Sequence, residues 1–230
     1  MNNAPATAPS WLRAIFVVLG VIAWLSTQEM IGSREDRKEA IGDVVHEQTV
    51  DIHRYLVEHR GVADGLLIST SAIIDVLGIF LLGMTIFGRT VRPFLGLLLL
   101  FGMRQICQAL CPLHPPPGMI WVYPGFPSLL VTYDVSNDLF FSGHTAMAVL
   151  GAVEIVRIAG RRWIIVSIFI VSLEAMAVLI LRAHYTMDVF TGAVVALYAS
   201  VLAERWAPWC DAMLVRIRGG TPPKASVQPE

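Results

Sequence analysis

Six apolar runs dominate this chain, at 11–27, 62–87, 93–110, 142–158, 163–181 and 187–206. Each is close to the roughly 20 residues that a helix needs to cross a hydrocarbon core. In lipid every backbone polar group must be satisfied within the chain, so runs of this kind fold as helices. Composition agrees: only 15% of the residues are charged and 55% are hydrophobic, against about 25% charged in ordinary soluble domains. The expected fold class is all-α, an integral six-transmembrane-helix bundle. A tail at 1–10 precedes a membrane domain at 11–206, and a cytoplasmic tail at 207–230, partly disordered, follows it. The first run lacks a basic leader and a clear small-x-small cleavage site, so it reads as a span rather than a signal peptide.

Net charge is −1, which gives no footing for nucleic acid. The three cysteines, Cys107, Cys111 and Cys210, lack metal-ligand or disulfide-framework spacing. No cofactor or metal is expected, and the oligomeric state cannot be read. With both termini cytoplasmic, the cytoplasmic segments hold ten Lys and Arg and the opposite side six, which follows the positive-inside bias. The loop at 28–61 then lies outside the membrane. Its apolar residues Ile41, Val44, Val45, Ile52, Tyr55 and Leu56 fall at helical spacing, as in a surface-lying amphipathic helix. His46, His53 and His59 lie on the same segment and read as a solvated face.

Two histidines open two of the apolar runs. "DLFFSGHTAMAVLG" places His144 at the start of the fourth, and "RAHYTMDVFTGAVVA" places His184 just before the sixth. Helix count alone puts both at one membrane face, and the charge bias makes that face non-cytoplasmic. Ser142 is a good N-cap and Gly143 permits close backbone approach. The first-turn amides that follow, beside Thr145, form a ready anion site. His184 and Asp188 stand four apart, so on a helix the carboxylate can orient the imidazole. Arg182 adds a cation. Each motif alone is ordinary; together at one wet rim they suggest phosphoryl chemistry.

"SGHT" paired with "HYTMD" resembles the signature of the sphingomyelin synthases and of the plant phosphatidylcholine:diacylglycerol cholinephosphotransferases. Both belong to the type 2 phosphatidic acid phosphatase superfamily. The likeness runs over about 104–206, with "DLFFSGHTA" and "HYTMDV" close and "RQICQALCPLHPPPG" loose. It implies a fold like that superfamily's. It also implies that His184 attacks phosphorus, Asp188 holds its tautomer, and His144 handles the proton of the leaving and incoming hydroxyls. The implied substrates are a phospholipid donor and a lipid-hydroxyl acceptor, diacylglycerol or ceramide. With water as acceptor the same machinery would be a lipid phosphatase. A non-catalytic lipid-binding membrane protein is the remaining alternative, disfavoured by the intact His144, His184 and Asp188.

The chain departs from the phosphatase branch. "TIFGRTVRP" has Thr85 where that branch has lysine, and Arg182 is only two residues before His184. Which arginine holds the phosphate is therefore open between Arg182 and Arg104, the latter a charge within an apolar run. The loop before His144 carries Trp121, Tyr133 and Asp138, aromatic and anionic groups suited to an ammonium headgroup. The same aromatics would also suit an interface belt. Asp138 is the more specific candidate because the sphingomyelin synthases also carry an Asp just before their SGHT. Asp75, Glu154 and Glu174 are intramembrane acids whose partners the sequence does not name, although Glu154 can pair with Arg157.

Overall fold

The computed structural model describes residues 9–32, 42–134, 139–217 and 219, with the side chains of 31 and 32 excepted. Asp138 and Ile41 lie outside these, as do most of the expected end tails. The described residues form eight α-helices and no strand: α1 Ser10–Gly32, α2 Val44–Gln48, α3 Val50–Glu58, α4 Arg60–Phe87, α5 Arg92–Leu110, α6 Gly143–Ala159, α7 Ile164–Ile180 and α8 Thr186–Ile217. Five stretches are long and apolar enough to cross a membrane: Ser10–Met30, Arg60–Phe87, Arg92–Leu110, Arg161–Ile180 and Thr186–Ile217.

The sixth expected run is α6. It has 17 residues, ~25 Å at 1.5 Å per residue, short of a ~30 Å hydrocarbon core. Its first two turns are buried on every side, from His144 to Gly151, which marks a central helix. It packs against α4, α5, α7 and α8. Phe94, Leu97, Leu100, Met147, Leu150 and Ala196 form the heart of the main core. The mouth of α6 is drawn especially close to α8: a Cβ at Gly192 would stand 2.7 Å from the Ser142 carbonyl oxygen.

At the far end of the bundle, buried Glu154 accepts from Arg92 at 2.8 Å and from Arg157 at 3.1 Å. The expected Arg157 pairing is thus present, with Arg92 added from α5. Thr85, at the position where the phosphatase branch carries lysine, accepts the Phe94 amide at 3.0 Å and so caps α5. Arg92 lies level with Glu154, ten residues along α6 from His144, or ~15 Å.

The last helix overruns its expected end at 206 by eleven residues, passing through Pro208 to Ile217. The extension is held by packing. Leu214 is buried against Val91, with Leu12 and Cys210 alongside, and Asp211 accepts the Val91 amide at 2.9 Å. Tertiary contacts here override the usual helix-ending effect of proline.

The surface segment is helical as expected, but its faces are assigned differently. His46, His53 and Leu56 are buried, whereas Val44, Ile52 and Tyr55 are exposed. The two histidines turn inward because the turn beneath them offers backbone carbonyls that no helix satisfies. His53 Nδ1 bonds the Ile180 carbonyl at 2.9 Å, a carbonyl at the C-terminal end of α7.

Candidate active site

A cavity of about 200 Å³ lies where α1, α4, α5, α6, the 112–142 connection and the α7–α8 turn converge. His144, His184, Arg104, Gly143 and Trp121 all line it. The two histidine motifs, 40 residues apart in the sequence, therefore share one chamber.

The mouth of α6 forms as its sequence dictates. Ser142 is the N-cap, and its hydroxyl oxygen accepts the Thr145 amide at 3.3 Å and the Thr145 hydroxyl at 3.2 Å. Ser142 and Thr145 thus complete the cap and do not line the cavity. The Gly143 and His144 amides occupy the first turn, where no intrahelical acceptor exists. The Arg104 guanidinium lies beside them: a Cβ at Gly143 would sit 3.4 Å from Arg104 Nε. Arg104 is held by the Phe141 carbonyl at 2.9 Å and by Gln28 Oε1 at 3.3 Å. His144 is buried, its Nε2 is unpartnered among the described residues, and Trp121 meets its ring edge-on at 5.1 Å.

The second mouth is shaped by Arg182, which adopts left-handed backbone, φ 53°. That conformation commonly terminates a helix and is usually left to glycine. The Ala183 amide then returns to the Val178 carbonyl at 2.9 Å. Arg182 donates to the Pro117 carbonyl at 2.8 Å and to the His46 carbonyl at 3.4 Å. It does not line the cavity, so of the two candidate phosphate arginines only Arg104 is at the site.

Asp188 is fully buried, and its Oδ2 accepts the Tyr185 amide at 2.9 Å. His184 Nδ1 stands 3.7 Å from the same oxygen, beyond hydrogen-bond length. His184 Nδ1 and Asp188 Oδ1 are both unpartnered among the described residues. Such bonds commonly tighten only when substrate binds. The two mouths are joined directly, because the Ser142 amide donates to the Asp188 carbonyl at 3.1 Å.

The surface segment braces the second mouth. His46 Nε2 donates to the His184 carbonyl at 3.0 Å. Asp43 accepts the Thr186 amide at 2.6 Å and the Thr186 hydroxyl at 2.9 Å. The same carboxylate caps α2 through the Val45 and His46 amides. Burial raises the Asp43 pKa, but these hydrogen bonds outweigh it and hold the carboxyl below its ordinary value.

Among the headgroup candidates, Trp121 is in the cavity wall, with its indole donating to the Thr132 carbonyl at 2.9 Å. Tyr133 stands behind it, centroids 5.6 Å apart, its hydroxyl 2.5 Å from Ser71 Oγ. Asp75 is a structural anchor. It takes the Ser128 hydroxyl and the Leu129 and Leu130 amides at 2.8–3.0 Å. This draws irregular backbone deep beside α4, where it is satisfied by protein, as membrane depth requires. Trp24 and Gln28 of α1, which no motif marks, also line the cavity; the one signal for them in the sequence is a glutamine at the end of an apolar run.

Comparison with curated proteins and with solved structures found no match. A comparison with protein families matches AtPDCT1/2 over residues 42–205 of 230. The match begins at the surface segment that braces His184 and ends in the helix that carries Asp188. The chain belongs to the AtPDCT1/2 family, that of the phosphatidylcholine:diacylglycerol cholinephosphotransferases.

Proposed function

We propose that this protein moves phosphocholine from phosphatidylcholine to diacylglycerol through a phosphohistidine on His184. The observation that carries this reading is one chamber lined by His144, His184, Arg104 and the first turn of α6. His184 Nδ1 faces Asp188, which leaves Nε2 as the nucleophile. Nε2 attacks phosphorus, the P–O bond to the donor glycerol breaks, and His144 protonates the departing alkoxide. His144 then takes the proton of the incoming diacylglycerol hydroxyl. That oxygen attacks phosphorus, the P–N bond breaks, and His184 is regenerated. Arg104 and the α6 amides stabilise the charge developing on the phosphoryl oxygens. Trp121 offers an aromatic face to the quaternary ammonium. Asp138 remains the candidate for a carboxylate contact with that group. We count α6 as a sixth span in a bundle like that of the type 2 phosphatidic acid phosphatases. The charge bias puts the cavity on the non-cytoplasmic face with both termini inside.

The test is purified protein in detergent micelles with headgroup-labelled phosphatidylcholine and unlabelled diacylglycerol, read by lipid mass spectrometry. Label is expected in new phosphatidylcholine built on the added diacylglycerol, and His184→Gln is expected to abolish it. Transfer that survives His184→Gln overturns the covalent route. Label released as water-soluble phosphate or phosphocholine overturns transfer in favour of hydrolysis.

A further inference from the structure

The cavity does not end at the histidines. A second, narrower space continues from it between α1, α4, α5 and α6, and the two share Trp24, Phe101, Leu130 and Met147. The walls of this slot are entirely apolar, with Val21, Leu82 and Leu98 completing them toward the bundle interior. Its free volume is about 40 Å³, room for about three water-sized groups. So small and wholly apolar a space suits a few methylenes and disfavours a polar headgroup. Along α5 the drop from Arg104 at the cavity to Phe94 at the slot floor is ten residues, ~15 Å. One leaflet of a ~30 Å hydrocarbon core has the same depth. Two close approaches keep the slot narrow. A Cβ at Gly20 would stand 2.6 Å from Phe94 Cζ, and Gly78 sits directly beneath Leu130. Leu130 is placed there by the Asp75 anchor.

We infer that this slot holds the upper methylenes of one acyl chain of the lipid whose phosphate lies against Arg104. By fixing how deep the lipid sits, it sets the phosphorus level with His184. This rests on the catalytic reading above, but its occupant can be read without catalysis.

The experiment uses the full chain in phosphatidylcholine vesicles containing a phosphatidylcholine with a diazirine on an upper acyl carbon. After irradiation, crosslinked residues are mapped by peptide mass spectrometry. Label is expected on Val21, Leu82 or Leu98, over the background on exposed Ile22. Filling the slot by Val21→Phe, or independently by Leu98→Phe, is expected to cut that label. It should also lower kcat/KM for phosphatidylcholine by about tenfold or more, with kcat falling as the phosphorus is misplaced. Ile22→Phe, on the same helix but outside the slot, is the control and should behave as wild type. Label confined to Ile22 and its exposed neighbours, or an unchanged kcat/KM in both filled variants, overturns the slot. Slot label in a wild-type protein that transfers no headgroup would sustain the slot and overturn the catalytic reading instead.

Discussion

Replacing Asp43 by alanine is expected to release α2 from the α7–α8 turn while leaving α3 seated. The Asp43 carboxylate caps α2 and accepts the amide and hydroxyl of Thr186, the first residue of α8. Losing the cap costs about 1 kcal/mol. Leaving the Thr186 amide without its partner costs about 1–3 kcal/mol more. The sum, about 2–4 kcal/mol, shifts the docked-to-undocked ratio of α2 by roughly 30- to 1000-fold. α3 is held separately, by Leu56 buried against Leu181 and Leu67 and by the His53 bond to Ile180. Hydrogen–deuterium exchange should therefore accelerate at 44–48 and at 184–188, with 52–58 little changed. Headgroup transfer should fall with it, because His46 loses its purchase on the His184 carbonyl. Acid should act in the same direction. The Asp43 pKa lies below its unfolded value, so its contribution is complete above pH ~3.9 and is lost as pH falls through the folded value. Burial also depresses the His53 pKa, so its contribution is complete above pH ~6.5 and declines as pH falls through its own folded value. Exchange in Asp43→Ala that matches wild type at both segments would refute this account of the brace.

Arg104→Gln should lower kcat about 10²- to 10³-fold, as for loss of one charge-stabilising donor, whereas Arg182→Gln should mainly lower thermal stability; steady-state transfer and melting curves separate the two. Gly192→Ala presses a Cβ against the Ser142 carbonyl and should destabilise by about 1–3 kcal/mol, read as a lowered Tm with reduced transfer. Asp75→Ala removes the acceptor for two loop amides and the Ser128 hydroxyl; limited proteolysis should then cut within 126–133 where wild type resists. Arg92→Gln leaves buried Glu154 with Arg157 alone of its two cationic partners among the described residues and should lower Tm while KM for phosphatidylcholine holds.

The chamber was largely legible because its parts announce themselves locally. Ser142 before an apolar run marks a helix start, counting helices puts the two mouths at one face, and Arg104 is conspicuous as a charge within such a run. Arg182 was less legible. Its left-handed backbone turns the guanidinium to the Pro117 and His46 carbonyls, and nothing in a non-glycine residue signals that conformation. Periodicity found the surface helix but not which side faces the protein, since carbonyls freed by the α7–α8 turn draw His46 and His53 inward. The acceptors of Asp75 and the reach of α8 past Pro208 depend on residues dozens of positions away, where spacing rules carry no information.

The bond from the Ser142 amide to the Asp188 carbonyl bears on how the protein comes into being. Chains emerge and organise from the N-terminus, so the His144 mouth exists before the residues that complete it have been made. On the catalytic reading proposed above, His144 and His184 share a chamber only once α8 is seated, with Gly192 close against Ser142. On that reading, a copy without α8 in place holds only the His144 half of the site. Seating α8 on α6 is then the step that completes the site.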